Sequence, residues 1–194
     1  YTCGYNNYEP QTTSFFKKII QENWIIFDCG AKEGYFTLIF SELTPTGIVH
    51  SFEPTITFDI LKYNVEFNNI SNAILNKMAV GNKSGKFEDN IFRVWGEPAE
   101  RLEYDFITLD DYCENNNINK LDLIKIDVDS FDYEVLMGAN NILKKLKPMV
   151  VVELNQALNI RGYNKEQVIE YMKNIGYNNI NCLDNENFVF EMGD

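Results

Sequence analysis

Asp28 closes the apolar run Trp24-Ile25-Ile26-Phe27, and a turn, Cys29-Gly30-Ala31-Lys32-Glu33-Gly34, follows before a helical apolar pattern begins. A second acid, Glu53, ends the next apolar run about 20 residues further on, the spacing at which a carboxylate reaches a ribose. A strand that ends in an acid, turns through glycines and restarts as a helix is a recurrent holder of nucleoside-bearing cofactors. Gly30 lets the backbone leave the strand through torsions closed to side chains. Gly34 is expected to let a ligand approach the start of the next helix. Taken singly, a glycine turn or an acid at a strand end is also what any tight strand-to-helix connection contains. Their combination points to chemistry.

The elements that must position these residues alternate along the chain. Residues 13–21 carry Phe15, Phe16, Ile19 and Ile20 at helical spacing and lead into a first strand at 24–28. A helix follows through Tyr35, Phe36, Leu38, Ile39 and Leu43 and stops at Pro45 and Gly47, then a second strand at 48–52 is ended by Pro54. Phe58, Leu61, Val65 and Phe67 resume the helical pattern, and residues 73–80 read as a third strand before the turn-rich 81–85. Residues 87–109, with Trp95, Gly96 and Pro98 among charges, are the least regular stretch and read as an exposed excursion or a short hairpin.

A short helix at 109–116, capped by Asp110 or Asp111, precedes the apolar run 121–128, punctuated only by Asp122, Lys125 and Asp127 and read as a buried fourth strand. One helix over 133–146, a fifth strand at 149–154 and a helix over 165–175 ended by Gly176 follow. Residues 180–183 and 188–192 then pair as a terminal hairpin, adding antiparallel strands to a parallel sheet. Right-handed crossovers put helices on both faces and bring the loops after the first, second and fourth strands to one crevice. No linker divides the 194 residues, so 1–194 is read as one domain, with 1–23 as a lead helix and 87–109 as the excursion.

The dinucleotide fingerprint wants a middle glycine where this turn has Lys32, which argues against a pyrophosphate. S-adenosylmethionine carries no phosphate. Its ammonium and sulfonium charges suit Asp28 and Asp127, and its ribose suits Glu53, although Asp28 also fits a purely structural turn acid. Several segments then fall together in one order: Phe27-Asp28-Cys29-Gly30-Ala31-Lys32-Glu33-Gly34-Tyr35-Phe36-Thr37, Val49-His50-Ser51-Phe52-Glu53-Pro54 with Leu61, Asn64 and Asn68, and Thr108-Leu109-Asp110-Asp111. Asp122-Leu123-Ile124-Lys125-Ile126-Asp127-Val128, Gly138-Ala139 and Pro148-Met149-Val150-Val151-Val152-Glu153 complete the set.

On these segments the chain resembles the FkbM family of S-adenosylmethionine-dependent methyltransferases over residues 24–154. The resemblance implies an α/β fold, a Rossmann-like class I methyltransferase three-layer sandwich whose mostly parallel sheet ends in an antiparallel hairpin. It implies a cofactor pocket of Asp28, Gly30, Ala31 and Gly34 around the methionine part, Glu53 at the ribose, and Met78 and Ala79 at the adenine. Asn64 and Asn68, at i and i+4, are expected to tie their helix to neighbouring backbone instead. The family usually has a Glu-Gly pair and a later Glu after the fourth strand, where this chain has Asp129-Ser130 and Asp132. A serine there adds a Cβ where a glycine could serve a positive-φ backbone.

Methyl transfer to a hydroxyl of a sugar or small metabolite, the acceptor class the resemblance implies, gains from alignment and from a base worth roughly 10²–10⁴-fold. The one histidine, His50, lies inside the second strand and is read as packing. The candidates are Asp127, Glu153 and Asp129 at or beside strand tips, with Asp127 equally suited to fixing the cofactor's ammonium. Three alternatives stay open: a magnesium-assisted reaction on Asp127, Glu153 and Asn155, a non-catalytic cofactor-binding module, and a dehydrogenase.

A formal charge of −12 argues against a nucleic-acid partner, and the basic group Lys144, Lys145 and Lys147 reads as the charged end of a helix. No apolar run reaches the roughly 20 residues that span a bilayer, and no secretory signal begins the chain, so a cytoplasmic protein is expected. Cys3, Cys29, Cys113 and Cys182 are widely spaced, as reduced thiols are.

Overall fold

The computed structural model describes residues 8–91 and 100–193. The described residues form ten strands, seven α-helices and a 3₁₀ helix: α1 (Pro10–Ile19), β1 (Ile25–Cys29), α2 (Tyr35–Leu43), β2 (Ile48–Phe52), α3 (Thr57–Phe67), β3 (Ala73–Asn76), β4 (Ala79–Val80), β5 (Gly85–Ile91) and β6 (Glu100–Ile107). Then come α4 (Leu109–Asn115), β7 (Leu123–Ile126), α5 (Asp132–Met137), α6 (Asn140–Leu146), β8 (Met149–Glu153), a 3₁₀ helix (Gln156–Arg161), α7 (Lys165–Asn174), β9 (Asn179–Cys182) and β10 (Asn187–Glu191).

Seven strands form one sheet in the order β3-β2-β1-β7-β8-β10-β9. The first five run parallel, and β10 pairs antiparallel with both β8 and β9, which is the C-terminal hairpin expected from the sequence. Strand alternation divides the core into two layers. Phe27, Ile124, Val150 and Val152 face one way, onto Leu136, Leu143, Val168 and Met172 of the later helices. Ile26, Val49, Leu123 and Val151 face the other, onto Phe16, Phe36 and Phe40 of α1 and α2. The three-layer sandwich follows. Its strand order reverses between β1 and β7, where a crevice opens at the carboxyl ends of the strands.

Four sequence expectations are corrected. Residues 73–80 are two strands: β3 closes the main sheet at its edge, and β4 leaves it to pair parallel with β6. With the antiparallel pair β5–β6, β4 makes a second sheet, so the stretch read as an excursion or short hairpin contains paired strands, and residues 92–99, with Trp95, Gly96 and Pro98, lie outside the described residues. The helix over 133–146 is two, interrupted at Gly138 and Ala139, where the Gly138 carbonyl accepts from Asp110 N at 2.9 Å. The cap of α4 is Thr108, whose Oγ1 accepts from Asp111 N at 3.0 Å, while Asp110 caps α6 through Asn141 N and Ile142 N. The first helix starts three residues early, at Pro10, because proline fits the opening turn.

Asn64 and Asn68 do tie α3 to backbone, donating to Glu33 O and Asn64 O, both at 2.7 Å. His50 is buried, its ring Nδ1 2.8 Å from the Tyr112 hydroxyl, and burial lowers its pKa to about 4. Cys29 and Cys113 are buried free thiols, Cys182 an exposed one, and Cys3 lies outside the described residues. Among the described residues no helix is long and apolar enough to cross a membrane.

At the crevice, β1 and β7 meet closely. Gly30 has φ +83°, and a Cβ there would lie 1.8 Å from Asp127 O, so the turn must be glycine at this position. Lys125 lies directly opposite Asp28 in the β1–β7 register and is 3% exposed. Its ammonium is 3.9 Å from Asp28 Oδ1, 3.2 Å from Asp127 Oδ2 and 4.9 Å from the Phe36 ring centroid. Despite burial, these carboxylates raise its pKa, so it stays charged.

Removing one partner of a buried ionic group leaves an uncompensated charge. Lys125→Met is therefore expected to lower the unfolding free energy in urea by about 3–5 kcal/mol. Adding Asp28→Asn should recover part of the loss, and simple additivity of the two changes would show that the pair is not coupled. Gly30→Ala, strained by both its torsion and Asp127 O, should cost at least ~2 kcal/mol, a drop of about 4–8 °C in Tm.

Candidate active site

A trough of three connected recesses runs over the carboxyl ends of β1, β2, β7 and β8, and Lys32 and Asp127 line all three. The first is mostly apolar, a slot between Met78, Ala79, Ile91, Val128 and Phe131, with Glu53 at its mouth. The second lies between Asp28, Ala31, Glu33 and Tyr35, with Tyr8 over it. The third is polar and is walled by Asp129, Glu153, Asn155 and Glu186.

The glycine turn is not an anion cradle. Gly30 N and Ala31 N both donate to Phe52 O at 3.0 Å, Gly34 N to Ala31 O at 2.7 Å, and Lys32 N to Glu53 Oε2 at 3.1 Å. With these donors committed inside the protein, the turn offers little to a pyrophosphate and suits a phosphate-free cofactor. Gly34 has a different reason for being glycine than the one read from sequence. It is the N-cap of α2 at φ +93°, and the space a side chain would take is filled by Leu61 Cδ1.

Asp28 is fully buried, and Thr37 Oγ1 donates to its Oδ2 at 2.6 Å. Its Oδ1 lacks a hydrogen bond among the described residues and lies 3.9 Å from the Lys125 ammonium, beneath the second recess that the residue lines. Glu53 is more committed than expected. Its Oε1 accepts from Thr55 N at 2.9 Å and Thr55 Oγ1 at 2.6 Å, and Oε2 from Lys32 N. A carboxylate has about four lone-pair directions, so one remains at the mouth of the slot for a ribose hydroxyl. An apolar slot for a base, one open carboxylate direction and an orphaned buried acceptor together fit the parts of S-adenosylmethionine.

Asp127, Asp129 and Glu153 are brought together around the third recess, as their strand-tip positions implied. Burial first, then the charge of Asp127, raises the pKa of Asp129 to about 6 and that of Glu153 to about 8. Glu153 Oε2 accepts from Asn155 Nδ2 at 2.6 Å. The oxygen of Asn155 is occupied too, accepting from Ala157 N at 2.8 Å to cap the 3₁₀ helix. The ligand atom that a magnesium-assisted reading requires of Asn155 is thus already in use. Among the described residues no three His, Cys, Asp or Glu side chains are grouped to hold a metal ion.

Asp129, not Ser130, carries the left-handed torsion, φ 59°, which aspartate tolerates better than most side chains. Ser130 is buried, and Asp132 turns inward so that its Oδ1 accepts from Val128 N at 3.0 Å.

Four residues that shape the trough were not identified from sequence. Tyr8 and Lys32 face it, and Phe131 walls the slot. Arg161 lies behind Phe131, its guanidinium 3.3 Å from the ring centroid, and Nη2 donates to Asp89 Oδ1 at 2.7 Å, joining the hairpin to the β7 loop.

Residues 28–178 match the model of the Methyltransferase FkbM domain family. No curated protein matches the chain. Among solved structures, methyltransferase FkbM from Methylobacillus flagellatus KT is similar with a TM-score of 0.67 and 16% identity, over 93% of this chain and 47% of its own. This chain therefore spans about half the length of that protein. A Streptococcus mutans protein in complex with SAH aligns with a TM-score of 0.58 and 13% identity, over 95% of this chain and 97% of its own. An rRNA methylase from Streptococcus thermophilus aligns with a TM-score of 0.55 and 12% identity, over 94% and 95%. At such identities the structures share a fold. The family match covers most of the chain, and this chain belongs to the FkbM methyltransferase domain family, whose methyl donor is S-adenosylmethionine.

Proposed function

We propose that residues 1–194 act as one cytoplasmic methyltransferase domain that methylates a hydroxyl on a sugar or small metabolite. The observation that carries this reading is the third recess: ionisable carboxylates of raised pKa beside a phosphate-free cofactor trough. When bound, S-adenosylmethionine supplies an electrophilic methyl group. Met78, Ala79 and Phe131 hold the adenine, the open direction of Glu53 the ribose, and Asp28 with the Gly30-Ala31 turn the methionine end. Gly34 acts at one remove, by starting α2.

Glu153 and Asp129 orient the acceptor hydroxyl and take its proton, since a carboxylate of raised pKa is the stronger base. Asp127 is held by Lys125 at 3.2 Å and so acts mainly by fixing charge and orientation between the two recesses. The acid-lined third recess and the charge of −12 disfavour a nucleic-acid acceptor, although two structural neighbours are described as an rRNA methylase and a putative one.

A base works in its ionised form, so kcat/KM should rise with pH through the range of about 6 to about 8 set by Asp129 and Glu153 and level off above it. Glu153→Gln should lose the upper part of that rise and about 10²-fold in kcat or more, with S-adenosylmethionine binding by calorimetry retained. Unchanged turnover would remove Glu153 from the mechanism. Calorimetry with S-adenosylmethionine and NAD, followed by labelled-methyl transfer to glycans, metabolite extracts and rRNA, tests the whole reading. Binding of the methyl donor with no transfer to any acceptor would favour a non-catalytic module, and transfer to rRNA would replace the small acceptor.

A further inference from the structure

The buried side of α3 is made by Leu61, Asn64 and Val65. Its opposite side carries a second apolar stripe: Ile56 at the N-cap, then Ile60, Tyr63 and Phe67, exposed by 59, 49, 61 and 64%. The Tyr63 and Phe67 rings stack with centroids 5.8 Å apart and face solvent together. Single exposed apolar residues are ordinary, but four large ones in register on one helix are the pattern of a contact surface.

Two features of the stripe select its partner. Its residues are separated by four, three and four positions, a spacing that reads the same from either end of the helix. An antiparallel copy therefore presents Phe67 to Ile56 and Tyr63 to Ile60 along the whole stripe, the self-complementarity that a twofold contact requires. The charges along its rim also cancel: Lys77 lies 3.8 Å from Asp59, and Lys62 lies 3.9 Å from Glu66. On a chain of formal charge −12, a neutral apolar stripe is a place where two copies can meet without bringing like charges together.

We infer that this protein forms a twofold homodimer in which the Ile56–Ile60–Tyr63–Phe67 face of α3 packs antiparallel against the same face of a second copy. The contact would sit beside the cofactor trough, because Thr55 bonds Glu53 and Thr57 lines the apolar slot. It does not depend on what the trough methylates.

Sedimentation equilibrium of the full chain from micromolar to hundred-micromolar concentration tests it. The expected species has twice the 22.6 kDa chain mass and persists in high salt, as an apolar contact does. Tyr63→Lys with Phe67→Lys should give the single-chain mass, with an unchanged circular dichroism spectrum because both side chains are already exposed. Leu102→Lys, an exposed apolar site on β6, should leave the dimer intact. A wild-type chain that stays monomeric at the highest concentration, or a dimer that survives the double substitution, overturns the inference.

Discussion

One buried ammonium organises the end of this sheet. Lys125 sits in a strand with apolar neighbours on either side, and desolvation alone would push it toward neutrality. It stays charged because Asp28 and Asp127, at the ends of adjacent strands, both face it. Each acid in turn is tolerable in that setting only with the lysine between them. The consequences spread outward. Thr37 in the first turn of α2 bonds Asp28 and also lies 2.8 Å from Ser51 of β2, so the same charge cluster sets where α2 sits against two strands. Gly30 must then let the turn pass within contact of the Asp127 backbone, because the strands are drawn together at that point.

The same cluster arranges the chemistry. Asp127 is turned toward Lys125, and around the third recess burial first and then the charge of Asp127 raise the pKa values of Asp129 and Glu153. Two of the three acids at the strand tips are thus pushed toward the range where a carboxylate is a useful base, and the third anchors the arrangement. Asp28 lines the neighbouring recess, with its unpartnered Oδ1 buried beside Lys125. The second and third recesses of the trough therefore share one electrostatic support in Lys125 and the acids that face it.

Much of this was legible in the sequence, and the parts that were not have physical reasons. The parallel sheet, its helices and the terminal hairpin follow from periodicities of two and near four, which depend only on each segment's own residues. The strand tips carrying Asp28, Glu53, Asp127 and Glu153 follow from the same reading. Lys125 looked like punctuation in an apolar strand. Its position on the same face as Asp127 was a usable sign, but its partner Asp28 is contributed by a strand nearly a hundred residues away. The caps exchanged roles for a similar reason: Thr108 is local to α4, whereas Asp110 reaches a helix brought near by tertiary packing. Arg161 behind Phe131 left no local sign, since its cation–π contact spans thirty residues of sequence.

The segment after β7 shows how a departure from a family pattern is best weighed. A serine in place of a glycine looks damaging if the backbone there must take a positive φ. In this chain the positive φ falls on Asp129, and Ser130 is buried without one. Asp132, shorter than the usual glutamate, turns back to hold Val128 N rather than reaching the recess. The loop thus closes on itself and presents a single carboxylate, Asp129, opposite Glu153. On the reading proposed above, the altered loop bears on which acceptor fits rather than on whether the donor is held, because the second recess rests on β1, α2 and Lys125 and not on Asp129 or Ser130.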